Sequence, residues 1–170
     1  MPNWCINFVS FRFENQEKAT SLYDKFYALQ SSDKGEVPEN CQCVDGYLFD
    51  VVVADQGIFQ VANETSFEFG IVFSSRWAPI NETLINIAKT YDAIGFECEY
   101  SETGNMVYGK FFYDTATDNT LDQPLSDDDF DKYVWNEETE NYTYNGVIYE
   151  SDEEILELIH AEKYPNFFKS

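Results

Sequence analysis

The chain of 170 residues has room for one domain of ordinary size or one domain with an appendage, and its 15 Phe, 12 Tyr and 3 Trp supply a core that argues against intrinsic disorder. Its formal charge of −22 repels phosphate backbones and anionic lipid, which argues against direct nucleic-acid binding and membrane docking and favours a basic surface as partner. No run approaches the roughly 20 apolar residues that span a bilayer, and Met1-Pro2-Asn3-Trp4 lacks the basic start of a secretory signal. The expected compartment is therefore the cytoplasm, with Cys5, Cys41, Cys43 and Cys98 as reduced thiols. The glycosylation patterns at Asn63, Asn81 and Asn141 carry no meaning there.

Trp4 to Phe13 alternates as a strand with two apolar faces, Trp4-Ile6-Phe8 and Cys5-Val9-Phe11-Phe13, which predicts a central strand covered on both sides. Asn15 suits a helix cap, and Ala19, Leu22, Tyr23, Phe26 and Leu29 form one helical stripe behind it. A loop over Ser31 to Glu39 leads to a β-rich run, Tyr47 to Val53, and Ile58 to Ala62 adds an edge or local pairing. Phe67, Phe69, Ile71 and Phe73 then alternate as a strand that a corner, Ser74-Ser75-Arg76-Trp77-Ala78-Pro79, brings to a stop. Pro79 suits the first turn of the helix Asn81 to Tyr91, whose Leu84, Ile87, Ala88 and Tyr91 share a face. Phe96, Cys98 and Tyr100 alternate with Glu97, Glu99 and Ser101, and Glu102-Thr103-Gly104-Asn105 turns this strand back into Met106 to Tyr113. The order β-α-β-β-α-β predicts an α+β ferredoxin-like fold, an antiparallel sheet with two helices on one face, over residues 1–113.

Composition shifts after Tyr113: residues 114–162 hold 16 of the 32 acidic residues and a single lysine, Lys132. Ser126 with Asp127, Asp128 and Asp129 predicts a capped helix running to Trp135. Asn145-Gly146 marks a hairpin within Tyr142 to Tyr149. Ser151 and Glu154 match a capping box opening a helix that packs Ile155, Leu158 and Ile159 and ends at Pro165. Residues 114–170 are thus expected as an acidic C-terminal subdomain, hairpin plus helix, packed on the first.

The opening heptad Met1-Pro2-Asn3-Trp4-Cys5-Ile6-Asn7 resembles the start of the YubB-like proteins of plasmids and phages. The corner Phe73 to Pro79 and the strand Phe96-x-Cys98-x-Tyr100-x-Glu102-x-Gly104 resemble two further segments of that family, so the likeness spans residues 1 to about 113. Ala78-Pro79-Ile80 stands where the family more often has two prolines, and the acidic region lies outside the likeness. The resemblance implies a ferredoxin-like domain in a mobile-element protein, where genes countering host defence are common company, and no catalytic residues.

Chemistry-bearing patterns are sparse. His160, the one histidine, sits near a helix C-terminus among acids, and a solvated or capping side chain is the expected state rather than a catalytic base. Cys41-x-Cys43 is too short for a metal knuckle and lacks a second pair, so neither metal nor cofactor is expected. Trp4 and Trp77 read as core or corner packing, Arg76 as the partner of a carboxylate, and Asn3 and Asn7 as groups satisfying backbone at the strand start. A paired carboxylate site stays open but unspecific, and the expectation is no enzyme.

The strongest functional pattern is the density of Asp127, Asp128, Asp129, Asp131, Glu137, Glu138, Glu140, Glu150, Asp152, Glu153, Glu154 and Glu157 in folded sequence. Packed like charges destabilise a fold, so an offsetting role is expected. A stiff carboxylate array can imitate duplex phosphates, about 1.7 Å apart along the axis, with Trp135 and neighbouring tyrosines as anchors. The expected function is inhibition of a host nucleic-acid-processing defence system, anti-CRISPR or anti-restriction, by engaging a basic protein as a DNA mimic. The alternative is an interaction module docking through its sheet face or an edge strand.

Overall fold

A computed structural model describes residues 3–165. Met1 and Pro2 of the opening heptad, and residues 166–170 of the C-terminal extension, lie outside the described residues.

The first strand, β1 (Trp4–Phe13), turns Cys5, Asn7, Val9, Phe11 and Phe13 inward. Asn15 caps α1 (Gln16–Leu29) by accepting the Lys18 N–H at 3.0 Å. β2 (Phe49–Val53) and the short β3 (Phe59–Gln60) both pair with β4 (Phe67–Arg76). Then come α2 (Asn81–Thr90), β5 (Gly95–Glu102), a tight turn at Thr103–Asn105 and β6 (Val107–Asp114). The sheet order β2-β4-β1-β5 is the split β-α-β arrangement of a ferredoxin-like sandwich, with every neighbouring pair antiparallel. Ala19, Leu22 and Phe26 of α1 and Leu84, Ile87 and Ala88 of α2 share one core with the inward strand residues. At its centre the Phe11 ring lies 5.7 Å from Phe26, 6.0 Å from Phe69 and 5.6 Å from Phe96, spacings at which aromatic pairs attract. Both helices therefore cover one face, as the alternation and the helical stripes predict.

Three sequence expectations for this half need correcting. β1 is central, but its second face is open: Trp4 is 41 % exposed and Phe8 51 %. Alternation reports that a face is apolar, not that a layer exists to cover it. β4 continues through Ser74 and Ser75 to Arg76, because β1 pairs with it up to Trp4–Arg76, so the corner is only Trp77-Ala78-Pro79. Pro79 precedes the N-cap Ile80 instead of opening the helix.

Beyond β6 the chain adds β7 (Asn119–Pro124) to the large sheet as its edge. It then forms α3 (Asp127–Phe130) and a separate three-stranded sheet of β8 (Val134–Asn136), β9 (Asn141–Tyr144) and β10 (Val147–Tyr149). Asn145 and Gly146 both adopt positive φ in the two-residue turn between β9 and β10, the conformation that Asn-Gly favours. The last element is α4 (Asp152–Lys163). Trp135 lies in β8 and not in a helix, because α3 ends at Phe130. Ser151 caps α4 through the Glu153 N–H at 3.1 Å, a single cap in place of the expected box. Leu158 faces solvent and Leu156 is buried in its stead. Among the described residues no helix is long and apolar enough to cross a membrane.

Candidate partner-binding surface

The C-terminal elements form a layer with its own core. Leu125, Phe130, Tyr144, Ile155, Leu156 and Ile159 gather around Tyr108 of β6, which points away from the α1–α2 face. This second core covers part of the sheet's far side. Two hydrogen bonds to β7 pin α4 in place: His160 Nε2 lies 3.0 Å from the Gln123 carbonyl, and the Tyr164 hydroxyl donates to the Pro124 carbonyl at 2.9 Å.

His160 is 1 % exposed, which overturns the solvated or capping expectation. Its ring stands edge-on to Tyr108 at 5.9 Å and 4.9 Å from Tyr164, and burial lowers its pKa, keeping it neutral. The other ring nitrogen, Nδ1, has no partner among the described residues. Beside the helix, Lys110 is buried against Glu99 at 3.2 Å. The fold hides this histidine as a docking strut.

Asp129 must also be withdrawn from the partner-binding set. Its carboxylate is buried and accepts from Lys132 at 2.7 Å, Lys163 at 2.5 Å, and the Ser126 N–H and hydroxyl at 2.9 and 3.0 Å. Burial alone would raise its pKa, but these donors outweigh that and hold it well below the ordinary carboxylate range. The knot ties α3 to the end of α4.

The other candidates stand differently. Asp127, Asp128, Asp131, Glu137, Glu138, Glu140, Glu153, Glu154 and Glu157 are exposed, Asp152 is half-buried, and Glu150 is exposed beside them. None forms an ion pair among the described residues, since both lysines of the layer meet at Asp129. The structure distributes these carboxylates over α3, the β8–β9 turn and α4. Trp135 is partly exposed with its ring 4.7 Å from that of Tyr142.

Sequence reasoning missed the outer face of the small sheet. The register brings Val134, Thr143 and Ile148 into one exposed row, with Ile148 67 % exposed. Only the alternation within three short strands could have signalled it. Cross-strand pairing likewise aligns Val52, Val72 and Phe8 on the open face of the large sheet. Arg76, expected to pair with a carboxylate, instead stacks on Trp4 and Phe49, its guanidinium 5.9 and 4.9 Å from the ring centres.

Among the described residues no three His, Cys, Asp or Glu side chains are grouped to hold a metal ion. All four cysteines are unbridged; burial pushes Cys5 up to about 11 and Cys98 well above the ordinary thiol value.

A family model for the ferredoxin-like domain in Api92-like protein matches residues 59–145, just over half of the chain. The chain belongs to that family. The matched span takes in β3, β4, α2, β5 and β6, and it runs on through β7, α3, β8 and β9. The match thus enters the acidic layer, which the sequence likeness had left outside, while β1 and α1, which complete the sandwich, precede it. No curated protein and no solved structure matches the chain.

Proposed function

We propose that this protein is a non-catalytic inhibitor that presents its acidic C-terminal layer to a basic, nucleic-acid-binding protein and occupies the surface that would hold nucleic acid. One observation carries the reading: ten exposed carboxylates and the half-buried Asp152 stand without ion pairs among the described residues, while the neighbouring cations neutralise a single buried one. Unpaired like charge on packed elements is a destabilising arrangement that a basic partner relieves. Trp135 supplies an aromatic anchor of the kind interfaces favour. The resemblance to YubB-like proteins of mobile elements supports a restriction or CRISPR complex of the host as the target, met in the cytoplasm.

The test is competition. Displacement of a labelled duplex from restriction and CRISPR nucleases should weaken at least tenfold between about 50 and 200 mM salt. The variant D127N/D128N/D131N should lose about tenfold at low salt, while Phe8→Asp should compete like the parent. Displacement indifferent to both salt and the acidic substitutions would refute mimicry.

A second reading has its own observation. The Val52–Val72–Phe8 row and the Trp4–Phe49–Arg76 stack leave apolar area on the open sheet face. If the protein docks there, Phe8→Asp abolishes partner binding and the acidic substitutions leave it intact.

A further inference from the structure

Away from the acidic layer, the open face of the large sheet is hollowed. Register puts Gly70, Ser10, Glu97, Phe112 and Leu121 in one row across β4, β1, β5, β6 and β7, and Glu68, Arg12, Gly95 and Asp114 in the next. Small residues at Ser10 and Gly95 leave a cavity of about 420 Å³, within the range of small-molecule sites. Gly95 cannot be enlarged, since a Cβ there would lie 2.4 Å from the Tyr113 carbonyl oxygen. Phe112 and Leu121 form an apolar wall. A second hollow of about 350 Å³, running toward Phe8 and Val72, shares Ser10 and Glu97 with the first.

Of the charged groups lining the hollow, Arg12 and Glu68 pair with each other. Arg12 pairs with Glu68 at 3.4 Å and Glu64 at 3.6 Å, and the Ser10 hydroxyl donates to the other Glu68 oxygen. Asp114 accepts the Thr117 N–H at 3.0 Å. Glu97, standing where the two hollows meet, has neither a hydrogen bond nor an ion pair with another described residue. A carboxylate with no direct hydrogen bond or ion pair among the described residues, beside an apolar wall, fits a ligand that is cationic at one end and apolar along its length.

We propose that this hollow binds an organic cation, an ammonium or guanidinium group on an apolar shank, with Glu97 as counter-ion and Phe112 and Leu121 along the shank. The site is separate from the acidic C-terminal surface and does not depend on the function proposed for it. Partial desolvation raises the Glu97 pKa although its carboxylate still reaches water; Glu68 of β4 and Glu99 of its own strand add to the rise, while Lys110 of β6 and Arg12 of β1 oppose it. Ser10, Phe112 and Leu121 face it as uncharged groups. A bound cation favours the ionised form, so affinity increases with pH as Glu97 ionises.

The experiment is an NMR titration of the full-length ¹⁵N-labelled protein at fixed ionic strength. The probes are phenethylamine, its neutral counterpart 2-phenylethanol, and N-acetyl-arginine amide as a protein side-chain mimic. Saturable shifts are expected at Ser10, Gly95, Glu97 and Phe112 for one or both cations. Tighter binding of phenethylamine assigns the site to free amines; tighter binding of the arginine amide assigns it to a basic side chain of a partner. The alcohol should bind at least tenfold more weakly, and Glu97→Gln should weaken cation binding at least fivefold while E153Q/E154Q/E157Q leaves it unchanged. Equal binding of the alcohol, shifts spread over the surface, or equal loss in the C-terminal variant would overturn the proposal.

Discussion

Trp77 is held in an uncommon backbone conformation. Its φ of 70° lies in the left-handed region that bulky residues avoid, and the Ala78 N–H bonds back to the Arg76 carbonyl at 2.9 Å, closing a three-residue turn. The surroundings enforce it. Its N–H donates to the Asn3 carbonyl at 2.9 Å, the Ser75 hydroxyl to the Ala78 carbonyl at 2.6 Å, and the buried Asn7 amide to Ser75 Oγ at 2.9 Å. Because the side chain is 58 % exposed, its removal sacrifices little packing, and the backbone term should dominate. Trp77→Gly is therefore expected to be more stable than Trp77→Ala by about 1 kcal/mol, measured by urea denaturation. Equal stabilities would mean that the strain is absent. The sequence marked Ser74 to Pro79 as a corner and Asn7 as a backbone partner, yet the left-handed tryptophan was invisible in it. Residue type opposes that conformation, and only the hydrogen bonds of two separated segments impose it.

Among the elements, α4 best separates what periodicity tells from what it leaves open. The Ser151 start, the helix and the burial of Ile155 and Ile159 were legible. Its rotation was not, because Leu156 and Leu158 are equally apolar and the choice between them falls to Tyr108 on a distant strand. The same rotation carries His160 into the core, where a titratable group becomes a condition on docking. Burial depresses its folded-state pKa below the ordinary 6.5; the Gln123 carbonyl and Glu99 oppose this, while Lys110 and Lys163 add to it. A depressed histidine binds fewer protons folded than unfolded, so its contribution is present above about pH 6.5 and is lost as pH falls through the folded value. The hydrogen-exchange protection factors of the α4 amides should fall between about pH 7 and 5. His160→Gln should flatten that dependence while lowering protection at pH 7. The Asp129 knot titrates in a separate, more acidic window, because its carboxylate is held below the ordinary 3.8.

At the scale of the whole molecule, the shift in composition at residue 114 is real, but the sheet does not stop there. β7 extends it, and the second core begins at Leu125 while borrowing Tyr108 from β6. Charge density tracks solvent exposure and cannot register a strand pairing, so a boundary drawn from acidity and one drawn from hydrogen bonds fall in different places. The eleven strandless or helix-borne carboxylates of this layer without ion pairs among the described residues are not equivalent in energy either. Asp127, Glu153 and Glu154 sit in first helical turns, where the backbone dipole favours them. Glu137, Glu138 and Glu140 crowd one turn, and Glu157 lies one helical turn after Glu153, so these carry repulsion without that compensation. The variant E137Q/E138Q/E140Q/E157Q should therefore gain about 1 kcal/mol in urea denaturation at low salt, from a few tenths per like-charge contact. The gain should vanish near 1 M salt, where screening reaches about 3 Å. If the same variant also loses its competition against duplex DNA, the repulsion stored in the free protein and the attraction offered to a basic partner have one source. A variant equally stable at both salt concentrations would show instead that the carboxylates stand too far apart to feel one another, and too far apart to imitate a phosphate backbone.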